Sequence, residues 1–208
     1  MKEIDYTKWK RKEHFEFFSK YDNPFFGFVS EVDCTRGYEI SKRDEVSFFA
    51  YYLHRSILAV NRVEELRLRM HDGKLVSFEN IHAASTIGRE DGTFGFSFVE
   101  FSPDFNLFNE GLQKEIAIVR NSTGLGAGRN SERLDVIHYS SLPWIRFTGV
   151  TYPRNFNTND TVPKITFGKS FEEGNRRKMA VSIEAHHGMA DGIHIARFLD
   201  EFQKAMDE

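Results

Sequence analysis

Apolar and polar positions switch between helical and strand periods along the chain, and the switches predict the order of elements. From about Thr7 to Lys20, Trp9, Phe15 and Phe18 recur among charged residues as in a short helix, which Asn23-Pro24 stops. Phe25 to Thr35 reads as a strand. Ile40 to Leu66 carries an apolar stripe of Phe49, Leu53, Ile57, Val60 and Val63, three and four residues apart, and predicts one long helix. Leu66 to Phe78 has Asp72-Gly73 between alternating arms; both residues accept positive φ, so this pair suits a two-residue hairpin turn.

Thr93 to Phe101 alternates, placing Phe94, Phe96 and Phe98 on one face of a strand, and aromatics in that pattern are expected to fill a core. Ser102-Pro103-Asp104 then predicts a helix start, with Ser102 as cap and Pro103 at the first helical position, ahead of Phe105, Phe108, Leu112, Ile116 and Val119. The loop Asn121 to Asn130 contains Gly124, Gly126 and Gly128, but neither the spacing nor the strand-to-helix setting of a phosphate-binding fingerprint. Asp135 to Thr151, Lys164 to Phe171 and Lys178 to Glu184 read as strands, and Ile193 to Met206 as a closing amphipathic helix. Strands in succession without helical crossovers imply an α+β fold with a mixed, mostly antiparallel sheet, against a doubly wound parallel one.

Composition narrows the classes. The chain has 208 residues, with 28 Lys+Arg against 31 Asp+Glu, and this near balance argues against a dedicated nucleic-acid binder. A chain of that length buries about 70% of its unfolded surface, so one domain over residues 1–208 holds a core without disulfide or metal. Cys34 is the sole cysteine, which excludes an intrachain disulfide and a Cys-rich zinc module and fits a reducing compartment, with the thiol as a small buried hydrophobe. No apolar run is long enough to span a bilayer and the N-terminus lacks a secretory h-region, so a cytoplasmic protein with no membrane partner is expected. The 21 Phe are many for so charged a chain, and part of that surplus is available to line an apolar pocket.

The segment richest in chemistry is His186-His187-Gly188-Met189-Ala190-Asp191-Gly192, between the last apolar strand and the last helix, where loops tend to carry functional groups. It offers an imidazole near neutral pKa and a carboxylate able to fix the local structure. A packed histidine pair without chemistry is one reading. A metal site of His187, Asp191 and His194 is another, but it lacks H-E-x-x-H and a second ligand cluster. A histidine general base is the best chemical use.

H-H-x-x-x-D-G is the signature of acyltransferases that use coenzyme A or carrier-bound acyl groups, and the chain resembles the chloramphenicol acetyltransferase family over nearly its whole length. Trp9-Lys10-Arg11-Lys12-Glu13-His14-Phe15-Glu16 resembles that family's W-x-R-R-E-H-F-E, and Ser140 to Thr148 its S-x-x-P-W-x-x-F-T stretch. Pro163, Thr166 and Lys169 fall where the family has A-P-x-x-T-x-x-K, and His194 to Phe198 resembles its final helix start. The chain is about half the length of plant-type acyltransferases and peptide-synthetase condensation domains, and it lacks the lipoyl domains and linkers of dihydrolipoamide acyltransferases.

The resemblance implies a two-layer sandwich, a large mixed sheet covered by helices, as in the CoA-dependent acyltransferase fold. It implies acetyl-CoA as co-substrate with no tightly bound cofactor and no metal, and chloramphenicol as the acceptor whose acetylation inactivates it. His187 would be the general base, with its other ring nitrogen donating to its own backbone carbonyl, and Ser140 would stabilise the oxyanion. Asp191 would pair with Arg11 to hold the loop. Lys169 would contact coenzyme A, Thr166 would lie near the reacting centre, Phe17 and Phe18 would line the acceptor pocket, and Trp144 would support the Ser140 loop. Three subunits would enclose active sites between neighbours.

The chain departs from that pattern at Glu184, Gly188, Ile193 and Ser170 and in the stretch Val150-Thr151-Tyr152-Pro153-Arg154, which bears on acceptor binding. An acetyltransferase for another hydroxylated small molecule, and a catalytically idle binding homologue, are the alternative readings.

Overall fold

Two sheets organise the chain in a computed structural model that describes residues 1–126, 132–153 and 160–208. The strands are β1 (Lys2–Glu3), β2 (Phe25–Asp33), β3 (Leu68–His71), β4 (Lys74–Ser77), β5 (His82–Gly88), β6 (Phe94–Val99), β7 (Val136–Ser141), β8 (Lys164–Glu173) and β9 (Arg176–His186). The α-helices are α1 (Lys12–Phe18), α2 (Thr35–Arg43), α3 (Phe48–Asn61), α4 (Phe105–Arg120) and α5 (Gly192–Asp207). The large sheet runs β2-β9-β8-β7-β5-β6, with β9–β8, β2–β9 and β5–β6 antiparallel and the two central pairings of β7 parallel. A small antiparallel sheet, β1-β4-β3, stands beside it. This is the mixed sheet that the strand succession implies, covered by helices as the resemblance implies.

The main core lies between the large sheet and α3, α4 and α5. Helix α3 is buried on most of its circumference, from Ala50 to Val60, which makes it the central helix of that layer. Its His54 is fully buried, and burial pushes the imidazole down to about 4, so the ring stays neutral with Nε2 bonded to the Ser102 carbonyl. Burial likewise lifts the Cys34 thiol to about 12, which removes it as a nucleophile.

Several expectations need correction. The stripe from Ile40 to Leu66 is two helices, because the chain turns at Glu45, whose φ of 53° is left-handed and ends α2. Neither Gly nor Pro marks that break. The aromatic row of β6 faces away from the core: Gly95, Ser97 and Val99 face α4, while Phe94 and Phe96 are nearly half exposed. Helix α4 is capped by Asp104, whose side chain accepts from the amides of Asn106 and Leu107, and Ser102 lies outside it. Strand β7 stops at Ser141, so 142–151 is not strand. The Asp72-Gly73 hairpin is as expected, with φ of 48° and 75°. Gly128 of the glycine-rich loop and Arg154 lie outside the described residues.

Candidate active site

Strand β9 is fixed by β8 as far as Glu184 on one side and by β2 as far as His186, opposite Phe25, on the other, and the His187 amide then donates to the Pro24 carbonyl at 2.8 Å. Strand alternation sends the two histidines to different surroundings. His186 is buried, stacks on Phe15 with centroids 5.1 Å apart, and accepts the Gly188 amide on Nδ1. His187 is half-buried between Phe18, nearly parallel at 4.1 Å, and Phe26 at 4.3 Å. Two aromatic faces hold the imidazole plane, and the charge-poor walls leave its edge as the polar surface.

His187 Nδ1 lies 3.3 Å from the Ala190 carbonyl oxygen. A carbonyl only accepts, so Nδ1 carries the proton and Nε2 presents a lone pair, with no protein partner among the described residues. The acceptor is therefore Ala190 in place of the expected carbonyl of His187 itself, which accepts from Arg11 Nη2 at 2.8 Å.

Arg11 reaches across from the start of α1 with every face of its guanidinium used. Nη1 donates to Asp191 Oδ2 at 2.6 Å and Nε to the Gly188 carbonyl at 3.2 Å, so one side chain ties both ends of the loop. Asp191 is also the cap of α5, accepting from the Ile193 amide. Burial raises the Asp191 pKa, but the Arg11 hydrogen bond and neighbouring positive charge outweigh it and hold the carboxyl below its ordinary value.

Arg11→Ala should lower stability by about 2–3 kcal/mol at neutral pH, less than a fully buried pair because Asp191 is a third exposed. A folded pKa below the unfolded one stabilises above the unfolded value and is lost as pH falls through the folded one. The gap between variant and wild-type melting curves should therefore narrow below about pH 4.

Gly188 sets how closely α1 approaches. A Cβ there would lie 2.6 Å from Phe15 Cα and 3.1 Å from His186 Cε1, and a backbone atom cannot move aside alone. Gly188→Ala should push α1 off the loop, costing about 1–3 kcal/mol and loosening the Phe18 stack on His187. Thermal melting read beside kcat checks this, and an unchanged pair of values would contradict the packing.

Ser140 lies elsewhere. Its neighbours Tyr139 and Ser141 point into the helix layer, where Tyr139 bonds Ser56 and Ser141 bonds Tyr52 at 2.7 Å, so Ser140 faces the opposite side of the sheet. Its hydroxyl has no partner among the described residues. Opposite it in register is Thr166, buried, with Oγ1 also unpaired. Thr166 pairs with Ser182 on β9, five residues before His187, so two strand spacings and five residues put Ser140 about 19 Å from His187 in the same chain. One chain thus brings together Arg11, Asp191, His187 and Phe18, and separately Ser140 and Thr166.

Phe17 is half exposed and packs edge-on against Phe18. Lys169 is exposed, its amide bonded to the Ile145 carbonyl. Trp144 is 75% exposed in the single chain. Trp144, Pro143 and Ser141 line a cavity of about 530 Å³ with Phe49, Tyr52 and Arg120. Sequence reasoning missed Phe26, whose place opposite Ala185 near the end of β9 has no local signal, and the contacts of His194.

This fold is shared with acyltransferases of wider kind, including a probable dihydrolipoamide acetyltransferase from Listeria monocytogenes (TM-score 0.62, 14% identity, covering 100% of this chain and 94% of that one). A solved chloramphenicol acetyltransferase superposes with a TM-score of 0.90 at 29% identity, over 98% of both chains. A chloramphenicol acetyltransferase from Klebsiella sp is 28% identical over 206 residues, 99% of this chain and 93% of that protein. The family model described as chloramphenicol acetyltransferase matches residues 1–203. The chain is an acyltransferase and belongs to the chloramphenicol acetyltransferase family.

Proposed function

We propose that this enzyme transfers the acetyl group of acetyl-CoA to a hydroxyl of chloramphenicol, and that His187 is the base. The observation that carries this is the His187 ring: clamped between Phe18 and Phe26, donating its Nδ1–H to the Ala190 carbonyl, with Nε2 open. Nε2 takes the acceptor hydroxyl's proton as that oxygen attacks the thioester carbon. The tetrahedral intermediate collapses by breaking the carbon–sulfur bond, and the imidazolium returns the proton to the departing thiolate. No group on the chain is acylated, and neither a metal nor a tightly bound cofactor enters the scheme.

The oxyanion of the intermediate needs a donor, and the Ser140 hydroxyl is unpaired for that role. Its separation of about 19 Å from His187 in one chain supports a site shared between copies, as in the family, and we assign a homotrimer with a site at each interface. Thr166, buried and unpaired beside Ser140, supplies a second hydroxyl at the reacting centre. Phe17 and Phe18 form the aromatic wall for the acceptor, and the exposed Lys169 serves as a cation for a coenzyme A phosphate.

Release of free coenzyme A thiol on mixing enzyme, acetyl-CoA and chloramphenicol tests the reading. Release with another alcohol but not with chloramphenicol reassigns the acceptor, and silence across a panel of alcohols makes the chain an idle homologue.

A further inference from the structure

We propose that His194 and Glu65 are positioning residues for His187, acting through the peptide group that joins Ala190 to Asp191. The inference rests on His187 being the base. His187 Nδ1 meets the carbonyl of that peptide at 3.3 Å. The amide of the same peptide, Asp191 N–H, donates to His194 Nδ1 at 3.0 Å. The described residues contain no cis peptide, so the two groups point in opposite directions and one imidazole stands on each side.

On the far side of His194, Nε2 lies 3.2 Å from Glu65 Oε1, in the short 3-10 turn after α3. The contacts therefore run from carboxylate to imidazole to peptide to imidazole. Each end dictates the direction: a carboxylate accepts only and an amide donates only, so His194 carries its proton on Nε2 and receives the Asp191 amide on Nδ1. That fixes the orientation of the peptide, and so the place of the carbonyl that keeps the His187 proton on Nδ1.

The arrangement is a capping box with histidine at its third position, where Glu or Gln commonly sits. Here the box does more than start a helix, because its amide shares a peptide with the partner of His187. The charged groups around it are Asp191, whose Oδ1 is also 3.0 Å from Nδ1, Arg11 on Asp191 Oδ2, and Arg197 at 4.0 Å from Glu65.

The test uses the full-length assembled enzyme. His194→Ala and Glu65→Ala should each lower kcat about tenfold, the smaller end of what losing an outer partner of a functional histidine does at metal sites, with KM for both substrates unchanged. His194→Gln, which accepts the same amide, should recover most of the loss. Nitrogen-15 histidine spectra should give His187 as the Nδ1–H tautomer and His194 as the Nε2–H tautomer in the wild type, and a mixture at His187 in both alanine variants.

Unchanged kcat in both alanine variants overturns the proposal, as does a loss that only follows the folded fraction and that Gln does not rescue. So does a resting His194 protonated on Nδ1 toward Asp191 Oδ1. The spectra need no turnover, so they read the positioning even where acetyl transfer fails. Full turnover by His187→Ala would sink the general-base reading while leaving the tautomer result intact.

Discussion

His187→Ala is expected to lower kcat about 10³-fold, within the range that a positioned acid–base group contributes, while leaving assembly and the melting curve close to wild type. The asymmetry follows from the contacts. The loop does not depend on the imidazole: its backbone is tied by the Pro24 carbonyl, by Arg11 on the carbonyls of His187 and Gly188, and by Asp191 as helix cap. What the ring adds to packing is its stack against Phe18 and Phe26, a modest loss at a half-buried position. Coenzyme A release and calorimetry on one preparation separate the two effects. A variant that keeps its turnover removes His187 from the chemistry, and a variant that does not fold shows that the ring is structural.

Ser140→Ala is expected to lower kcat by about 10²–10³-fold, the loss measured when one oxyanion donor is deleted elsewhere, with little change in KM because the donor matters only once negative charge develops. Stability should hardly move, since the hydroxyl bonds nothing among the described residues and the strand keeps its parallel ladder to β8. Ser141→Ala is the control. That hydroxyl is engaged with Tyr52, so its removal should affect stability more than rate. The two serines are adjacent in sequence, and strand alternation alone gives them different faces.

How much of this was legible in the sequence depends on whether the signal is local. The histidine loop was, because seven consecutive residues carry it, and so was the Asp72-Gly73 turn. Helix α5 was close, its apolar positions keeping one period to the end. The break between α2 and α3 was not, since a glutamate adopts the left-handed turn and the apolar stripe runs past it. Strand β5 was missed altogether: Ala83, Ala84 and Ser85 have little strand preference of their own, and its central place comes from pairing with β6 and β7.

The row of Phe in β6 shows the limit of reading alternation. The period was right and the buried face wrong, because small residues are what lets α4 lie close: a Cβ at Gly95 would come within 2.8 Å of Val119. Arg11 inside a basic run gave no sign of its three loop contacts except through family resemblance. Ser140 stands out as a site residue only through the same resemblance, and nothing in the sequence says that register holds it about 19 Å from His187.

The claim on which the rest depends is that the site is made by His187 of one copy and Ser140 of another. Co-expression of His187→Ala with Ser140→Ala chains tests it directly. Random assembly should pair an intact His187 with an intact Ser140 at about one interface in four, so the co-expressed population should regain about a quarter of wild-type turnover although each parent is nearly inactive. Mixed oligomers no more active than the two parents would contradict the account and place both groups within one chain's site.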